Sequence, residues 1–342
     1  MRFLVAVTAV AWWTAGIAQA DPVVLRMASV APSGSPWARE LSNFGRQVES
    51  STAGEVKVRW YFNAVAGDEE EEWSRLQNGQ IDGAASGQML CEQAAPSLRI
   101  SHLPGTFQDR QEAALVLGTL QSVFEKEAHT AGYQILALTG LGPSVFLTRH
   151  PVATLDELRK VRLWRWSFDR VGTMGSKEMG LQVAPLPLYD AGAAYSAGRI
   201  DGFIGIPSAA LAFQWSAQAR YLVDLRVDYL FGCLVVSERA FARLPASHQA
   251  SLREAAAKLR ERYEDMGRRI DESLIGGLFQ RQGVTVLPVS DSFRAEFFAA
   301  ARVARERMGD RFVSKELLAR VQSLLADYRA EHPVRAGGSG SR

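Results

Sequence analysis

The run Arg162-Leu163-Trp164-Arg165-Trp166 sets two guanidinium groups among two indoles within five residues. In a strand, Arg162, Trp164 and Trp166 would share one face. Such a face admits two readings: an edge arginine with tryptophans packed in a core, or a cation and aromatic surface offered to a ligand. Elsewhere the residue types that do chemistry lack the spacing that chemistry needs. There is no G-x-S-x-G elbow, H-E-x-x-H pair, C-x-x-C or Walker loop. Gly140-Leu141-Gly142 is followed at once by Pro143 and completes no fingerprint. The 5 histidines (102, 129, 150, 248 and 332) are scattered without ligand spacing and read as surface or loop residues. The acidic run Asp68–Glu72 lacks the pattern of a calcium loop; it reads as the solvated first turn of a helix, where carboxylates meet the helix dipole. Cys91 and Cys233 are the only cysteines. They could form a disulfide in an oxidising compartment or remain two buried thiols, and the sequence leaves both open. No catalytic residue, metal site or cofactor is expected.

Lys+Arg 39 against Asp+Glu 37 leaves a net charge of +2 with the signs mixed. Without a basic block, nucleic-acid binding has no electrostatic footprint. At 47% hydrophobic and 22% charged the composition is globular, and 342 residues are more than one small core accommodates, so two domains are expected. Met1-Arg2-Phe3, an apolar run to Ala18 and the A-x-A sequence Ala18-Gln19-Ala20 have the form of a secretory signal peptide.

The elements that must position the aromatic run alternate. Val23–Ala28 reads as a strand, Trp37–Ser51 as a helix with Leu41, Phe44 and Val48 at helical spacing, and Val56–Phe62 as a strand. Ile81–Ala85, Tyr133–Leu138, Val161–Trp166, Ile200–Ile204 and Val284–Pro288 read as further strands; Arg170–Met179 and Ala191–Gly198 read as helices. This is an α/β layer pattern. Gly79-Gln80-Ile81-Asp82-Gly83 is echoed by Gly198-Arg199-Ile200-Asp201-Gly202, as if each half used the same helix-to-strand junction. From Pro245 to about Gln282 apolar residues recur every three or four positions; at ~1.5 Å per residue such a helix would span about 50 Å. It must break near Gly276-Gly277 or bridge two domains. A last helical region spans Ser292–Tyr328.

Several segments, in order along nearly the whole chain, resemble the solute-binding proteins of TRAP transporters, the DctP-type family. Ala31-Pro32-Ser33-Gly34-Ser35-Pro36-Trp37 stands at the family's first loop, Ala66-Gly67-Asp68-Glu69 is similar to its L-G-D-E/D, and Leu76–Asp82 to L-x-x-G-x-L/I-D. Leu103-Pro104-Gly105-Thr106-Phe107 stands at its L-P-F. Thr154–Arg162 looks like T-P-x-D-L-K-G-L-K-I-R. Ala184–Tyr189 and Gly198–Gly202 match P-x-P-x-S-E-x-Y-x-A-L-Q-x-G-V-V-D-G, and Leu234–Pro245 completes the series.

The resemblance implies an α/β, two-domain periplasmic-binding-protein-like fold with hinge segments and a long helix bridging both domains. Residues 1–20 would be the signal peptide, 21–142 and 230–267 domain I, 143–229 and 268–330 domain II, and 331–342 a disordered tail. It implies a periplasmic, non-enzymatic protein that closes around a small carboxylate and hands it to the membrane subunits of a TRAP-type permease. Arg162 is assigned to the carboxylate, whose two oxygens a planar guanidinium can meet with parallel hydrogen bonds. Trp164, Leu188, Phe203 and Trp215 are assigned to the pocket wall. Where the family reads Q-E-N-P after V-D-G, this chain has Phe203-Ile204-Gly205-Ile206-Pro207, which puts Gly205 at the site without an amide. A second family arginine falls at Ser144, and the acidic or polar position near the end of the second strand at Gly87-Gln88. Polar sites reject ligands that cannot satisfy them. A pocket short of polar partners therefore suits a largely apolar acid, aromatic or branched, better than sialic acid or a C4-dicarboxylate. A hydrophobic-molecule or lipid carrier on the same fold is the alternative, ahead of an exported enzyme.

Overall fold

The computed structural model describes residues 21–332; the expected signal peptide, and the tail beyond 332, lie outside them. Among the described residues the strands form two sheets. The first contains β1 (Val23–Ala28), β2 (Val56–Tyr61), β3 (Gly83–Ser86), β4 (Tyr133–Pro143) and β10 (Tyr229–Ser237), in the order β2-β1-β3-β10-β4. The second contains β5 (Val145–Thr148), β6 (Arg162–Trp166), β7 (Gln182–Leu186), β8 (Gly202–Gly205), β9 (Tyr221–Val223) and β11 (Thr285–Leu287), in the order β11-β9-β5-β8-β6-β7. In the first, β1 runs parallel to β2 and β3 while β10 runs antiparallel to β3 and β4. In the second, β6 runs parallel to β7 and β8, and β5 antiparallel to β8 and β9. The chain crosses between sheets at Ser144 and again before β10, and there the two crossings are hydrogen-bonded: Ser144 N to Asp228 O, and Val227 N to Ser144 O.

Local chemistry sets the elements. Helix Pro36–Ser51 starts at Ser35, whose side chain accepts from Ala38 N, with proline at the first position, and buries Leu41, Phe44 and Val48. Helix Glu69–Gln77 starts with a reciprocal cap between Asp68 and Glu71. The expectation of a wholly solvated acidic turn is corrected: Glu69 and Glu72 are fully buried. The Glu69 carboxylate accepts from Gly87 N at 2.6 Å and Leu90 N at 2.8 Å, where helix Gln88–Ala94 begins.

The repeated pentapeptide builds the same junction twice. Gly79 and Gly198 take left-handed φ of 70° and 68° just past their helices. A Cβ on Gly83 would lie 2.4 Å from the Val235 carbonyl oxygen, and one on Gly202 2.5 Å from that of Leu147. Between the glycines, Asp82 holds Arg26 of β1 and Asp201 holds Arg162 of β6.

The long helix both bridges and breaks. Ala246–Ser273 is followed by a π-helical turn, Leu274–Leu278, in which Gly277 has φ 149°. Leu252, Ala256 and Leu259 pack beneath the first sheet, Leu274 and Phe279 in a core of the second. The last helical region is two helices, Asp291–Met308 and Lys315–Glu331, parted at Gly309. The first packs on the second sheet's core through Phe293 and Phe297. The other buries Val321 and Leu325 against helix Arg110–Thr130. The apolar face of this last helix, which was expected in the second domain, is covered by the first unit, and the helix extends to Glu331. Cys91 and Cys233 form a disulfide with a Cα–Cα distance of 5.9 Å, joining helix Gln88–Ala94 to β10. No helix among the described residues is long and apolar enough to cross a membrane.

Candidate functional site

A cleft of about 1140 Å³, part of it open to solvent, lies between the two sheets. Its rim follows the strand polarity: Ser29 and Val30 after β1, Gly87 and Gln88 after β3, Trp166 at the end of β6 and Ile206 after β8. Ligands of parallel α/β sheets bind outside the carboxyl ends of the strands.

The second sheet contributes an apolar wall. Trp164 is 3% exposed and Trp215 2%, and their rings meet at 4.8 Å. The Trp164 indole is oriented by donating Nε1–H to the Leu186 carbonyl at 3.1 Å. Leu188 and Phe213 extend the wall. Gly205 admits the Trp215 ring, which a Cβ there would meet at 3.0 Å. Of the residues expected at the site, Trp164, Leu188, Gly205, Gln88, Ser144 and Trp215 all border this cleft.

Phe203 and Arg162 do not. Phe203 is fully buried, stacked between Tyr195 and Trp215 at 4.9 and 5.0 Å; it backs the wall without reaching the cleft. Arg162, expected to point into the cleft, has a side chain 49% exposed and ion-paired to Asp201. The reason is strand polarity: Arg162 is the first residue of β6 and the cleft lies at its other end. Laid residue for residue from Thr154, the motif T-P-x-D-L-K-G-L-K-I-R ends on Trp164, and Arg162 takes its second lysine.

The polar side of the cleft joins Gln88 and Ser144, two positions expected from the sequence, to groups the sequence did not single out. Gln88 is present but occupied: Nε2 donates to Leu98 O, and Oε1 accepts from Ser101 Oγ and Phe231 N. Arg165 is 4% exposed and borders the cleft. Its guanidinium is held by Asp169 at 2.8 Å and Asp228 at 2.9 Å. Burial alone would lower its pKa, but the two carboxylates raise it. His102, expected at the surface, is 1% exposed. Its Nδ1 lies 3.6 Å from Glu92 and 3.7 Å from Asp169. Burial works against its charged form, yet Asp169, Glu92 and Asp228 push its pKa up to about 9. On the far side of the rim, burial pushes the Glu69 carboxyl up to about 7 against the pull of its backbone donors.

Four further polar atoms around the cleft are buried and have no hydrogen-bond partner among the described residues: Thr139 Oγ1, Ser144 Oγ, Trp166 Nε1 and Arg260 Nε. Buried polar groups are nearly always paired, so this concentration marks where a ligand's polar atoms would be met. Ser144 was expected from its position. Arg260 resembles any other charged residue of a long helix, and only the tertiary fold brings it here. No cluster of three or more metal-ligating side chains is found among the described residues.

Two sheets, paired crossings, a helix spanning both and a cleft between them define a two-lobed solute-binding protein. The chain belongs to the bacterial extracellular solute-binding proteins, family 7 (DctP), whose sequence profile matches residues 27–311. It is 25% identical over 231 residues to a solute-binding protein of Chromohalobacter salexigens, covering 67% of this chain and 68% of that one. It is 24% identical to one of Verminephrobacter eiseniae, covering 76% and 77%. Among solved structures it is similar to the sugar acid binding protein of Advenella mimigardefordensis in complex with galactonate (TM-score 0.83, 19% identity, 90% and 99% coverage). It is also similar to an extracytoplasmic solute receptor of Bordetella pertussis binding pyroglutamic acid (TM-score 0.79, 19% identity, 90% and 99% coverage). At these identities the structural likeness establishes the fold alone.

Proposed function

We propose that this protein takes a small organic acid with a largely apolar body into the cleft between its sheets and presents it to a TRAP-type membrane permease from the periplasm. The observation that carries the reading is the composition of the cleft: an indole wall of Trp164 and Trp215, with Leu188, faces a short set of unmet polar atoms. Galactonate and pyroglutamate, the ligands of the two related receptors, are both carboxylic acids, which supports an acid here. A polyhydroxylated acid asks for a hydrogen-bond partner at each hydroxyl, and this wall supplies none. The closing bodies are taken to be 21–142 with 230–267, and 143–229 with the segment from 268 through helix Asp291–Met308. Closure follows when a ligand makes contacts to both bodies that only the closed form permits.

The test is thermal unfolding with a panel of acids. Phenylacetate, 4-methylvalerate and cyclohexanecarboxylate are set against galactonate and galacturonate. At least one apolar acid should raise the unfolding temperature in a concentration-dependent way, and the sugar acids should not. Stabilisation by the sugar acids alone would reverse the assignment. Stabilisation by the matching amides as strongly as by the acids would favour a carrier of uncharged hydrophobic molecules, which the apolar wall also suits.

A further inference from the structure

We infer that Arg260, on the long bridging helix and not on β6, is the cation that takes the ligand's carboxylate. The inference rests on the reading of the cleft as an acid-binding site and names the residue that makes it one. Three arginines compete. Arg162 lies outside the cleft. Arg165 borders it, but Nη1 and Nη2 are spent on Asp169 and Asp228, and Nε lies 3.4 Å from Ser176 Oγ. A ligand carboxylate arriving there would face two protein carboxylates already in place. Arg260 borders the cleft, makes no ion pair or hydrogen bond among the described residues, and has an Nε shut away from solvent without an acceptor.

The other lysines and arginines of this helix are all engaged. Lys258 holds Glu254, Arg262 approaches Glu40, and Arg268 and Arg269 share Asp265. Arg253 donates to Gln134. Among the described residues Arg260 alone of these is uncommitted, and it borders the cleft. An unmet buried donor costs free energy that a ligand can relieve, and the Nε–H with a terminal N–H forms a fork that matches a carboxylate. The hydroxyls of Thr139 and Ser144 are then available to a second polar group on the ligand. Arg260 lies beside Leu259, which packs with the first sheet, whereas Trp164 and Trp215 belong to the second. An acid with its carboxylate on Arg260 and its body on the indoles touches both units, which is the contact pattern that favours closure.

The experiment is calorimetric titration of phenylacetate, 4-methylvalerate and cyclohexanecarboxylate, each with its amide, into wild type, Arg260→Gln and Arg260→Lys. Wild type should bind at least one acid at least about tenfold more tightly than its amide, and Arg260→Gln should lose about that factor for the acid and little for the amide. Arg260→Lys should recover only part, since a point charge does not reproduce the fork. A folded Arg260→Gln that binds the acid as tightly as wild type overturns the anchor and leaves the acid-binding cleft standing. Should Arg260→Gln not fold, Arg260→Lys decides: an unchanged acid-to-amide ratio overturns the anchor, a reduced one supports it. A wild type that binds no acid of the panel, or acid and amide alike, overturns the acid reading itself.

Discussion

Arg162 grips the Asp201 carboxylate from Nε and Nη2, at 2.7 and 3.0 Å, and its Nη2 also donates to the Gly198 carbonyl at 2.8 Å. Arg26 holds Asp82 and the Gly79 carbonyl by the same atoms, at 2.9, 3.2 and 2.9 Å. In both units the aspartate's own N–H donates back to the arginine's carbonyl. One arginine–aspartate clasp thus fastens the helix-to-strand junction of each sheet, and Arg162 is a fastening of the second.

Arg162→Ala should therefore leave ligand affinity unchanged within experimental error and lower the unfolding temperature slightly, as should Arg26→Ala. The pair is partly open to solvent, where ion pairs contribute little. A loss of affinity approaching tenfold for Arg162→Ala, measured by calorimetry, would return Arg162 to the binding site.

Stability should fall towards alkaline pH. His102 has a pKa of about 9 in the fold against 6.5 for an unperturbed histidine, so the folded state holds an extra proton between those values. The stabilisation is complete below about 6.5 and is lost as pH rises through about 9, about 3 kcal/mol in all. Glu69 acts in the same direction at lower pH: with its carboxyl at about 7 instead of 4.5, its contribution declines between those values. Urea unfolding of His102→Gln should show a flatter dependence between pH 6.5 and 9 while the decline below pH 7 remains. Parallel curves for variant and wild type above pH 7 would contradict this.

The disulfide should matter for stability because of the chain it encloses. Cys91 and Cys233 are 142 residues apart in sequence; in the chain-entropy account a loop of that size contributes about 5 kcal/mol. The Cys91→Ala, Cys233→Ala double variant should unfold at markedly lower denaturant, and reduction of wild type should approach it. A midpoint unaffected by either change would show that the bridge does not restrain the unfolded chain.

Trp164→Phe should weaken acid and amide binding equally, by about 1 kcal/mol or roughly fivefold, since it trims apolar surface and leaves the cation alone. A change in the acid-to-amide ratio in this variant would mean that the indole takes part in carboxylate recognition.

Much of the architecture was legible where one periodicity dominates. β1, helix Pro36–Ser51, β2 and the long helix follow from spacing and caps, and the paired pentapeptides foreshadowed the twin clasps. Periodicity does not mark β10: nearly all of Tyr229–Ser237 is buried, so the strand shows no alternation. β9, at three residues, is too short to carry a pattern. In the site, the indole wall and Ser144 were accessible by position, while Arg260, Thr139 and His102 come from elements brought together only by tertiary packing. Arg162, at the start of β6, stands two positions before Trp164, which borders the cleft. Along a strand two residues keep the same face but move about 6.6 Å, enough to exchange the cleft end of β6 for its outer end.

The central claim, an acid with an apolar body held between Trp164 and Arg260, is tested most directly by native mass spectrometry of the protein as purified from an exporting host, followed by release and mass measurement of whatever it carries. The account predicts a single small carboxylic acid with few hydroxyl groups, bound one per chain in wild type and depleted in Arg260→Gln. A sugar acid, or a neutral lipid retained equally by both proteins, would contradict it.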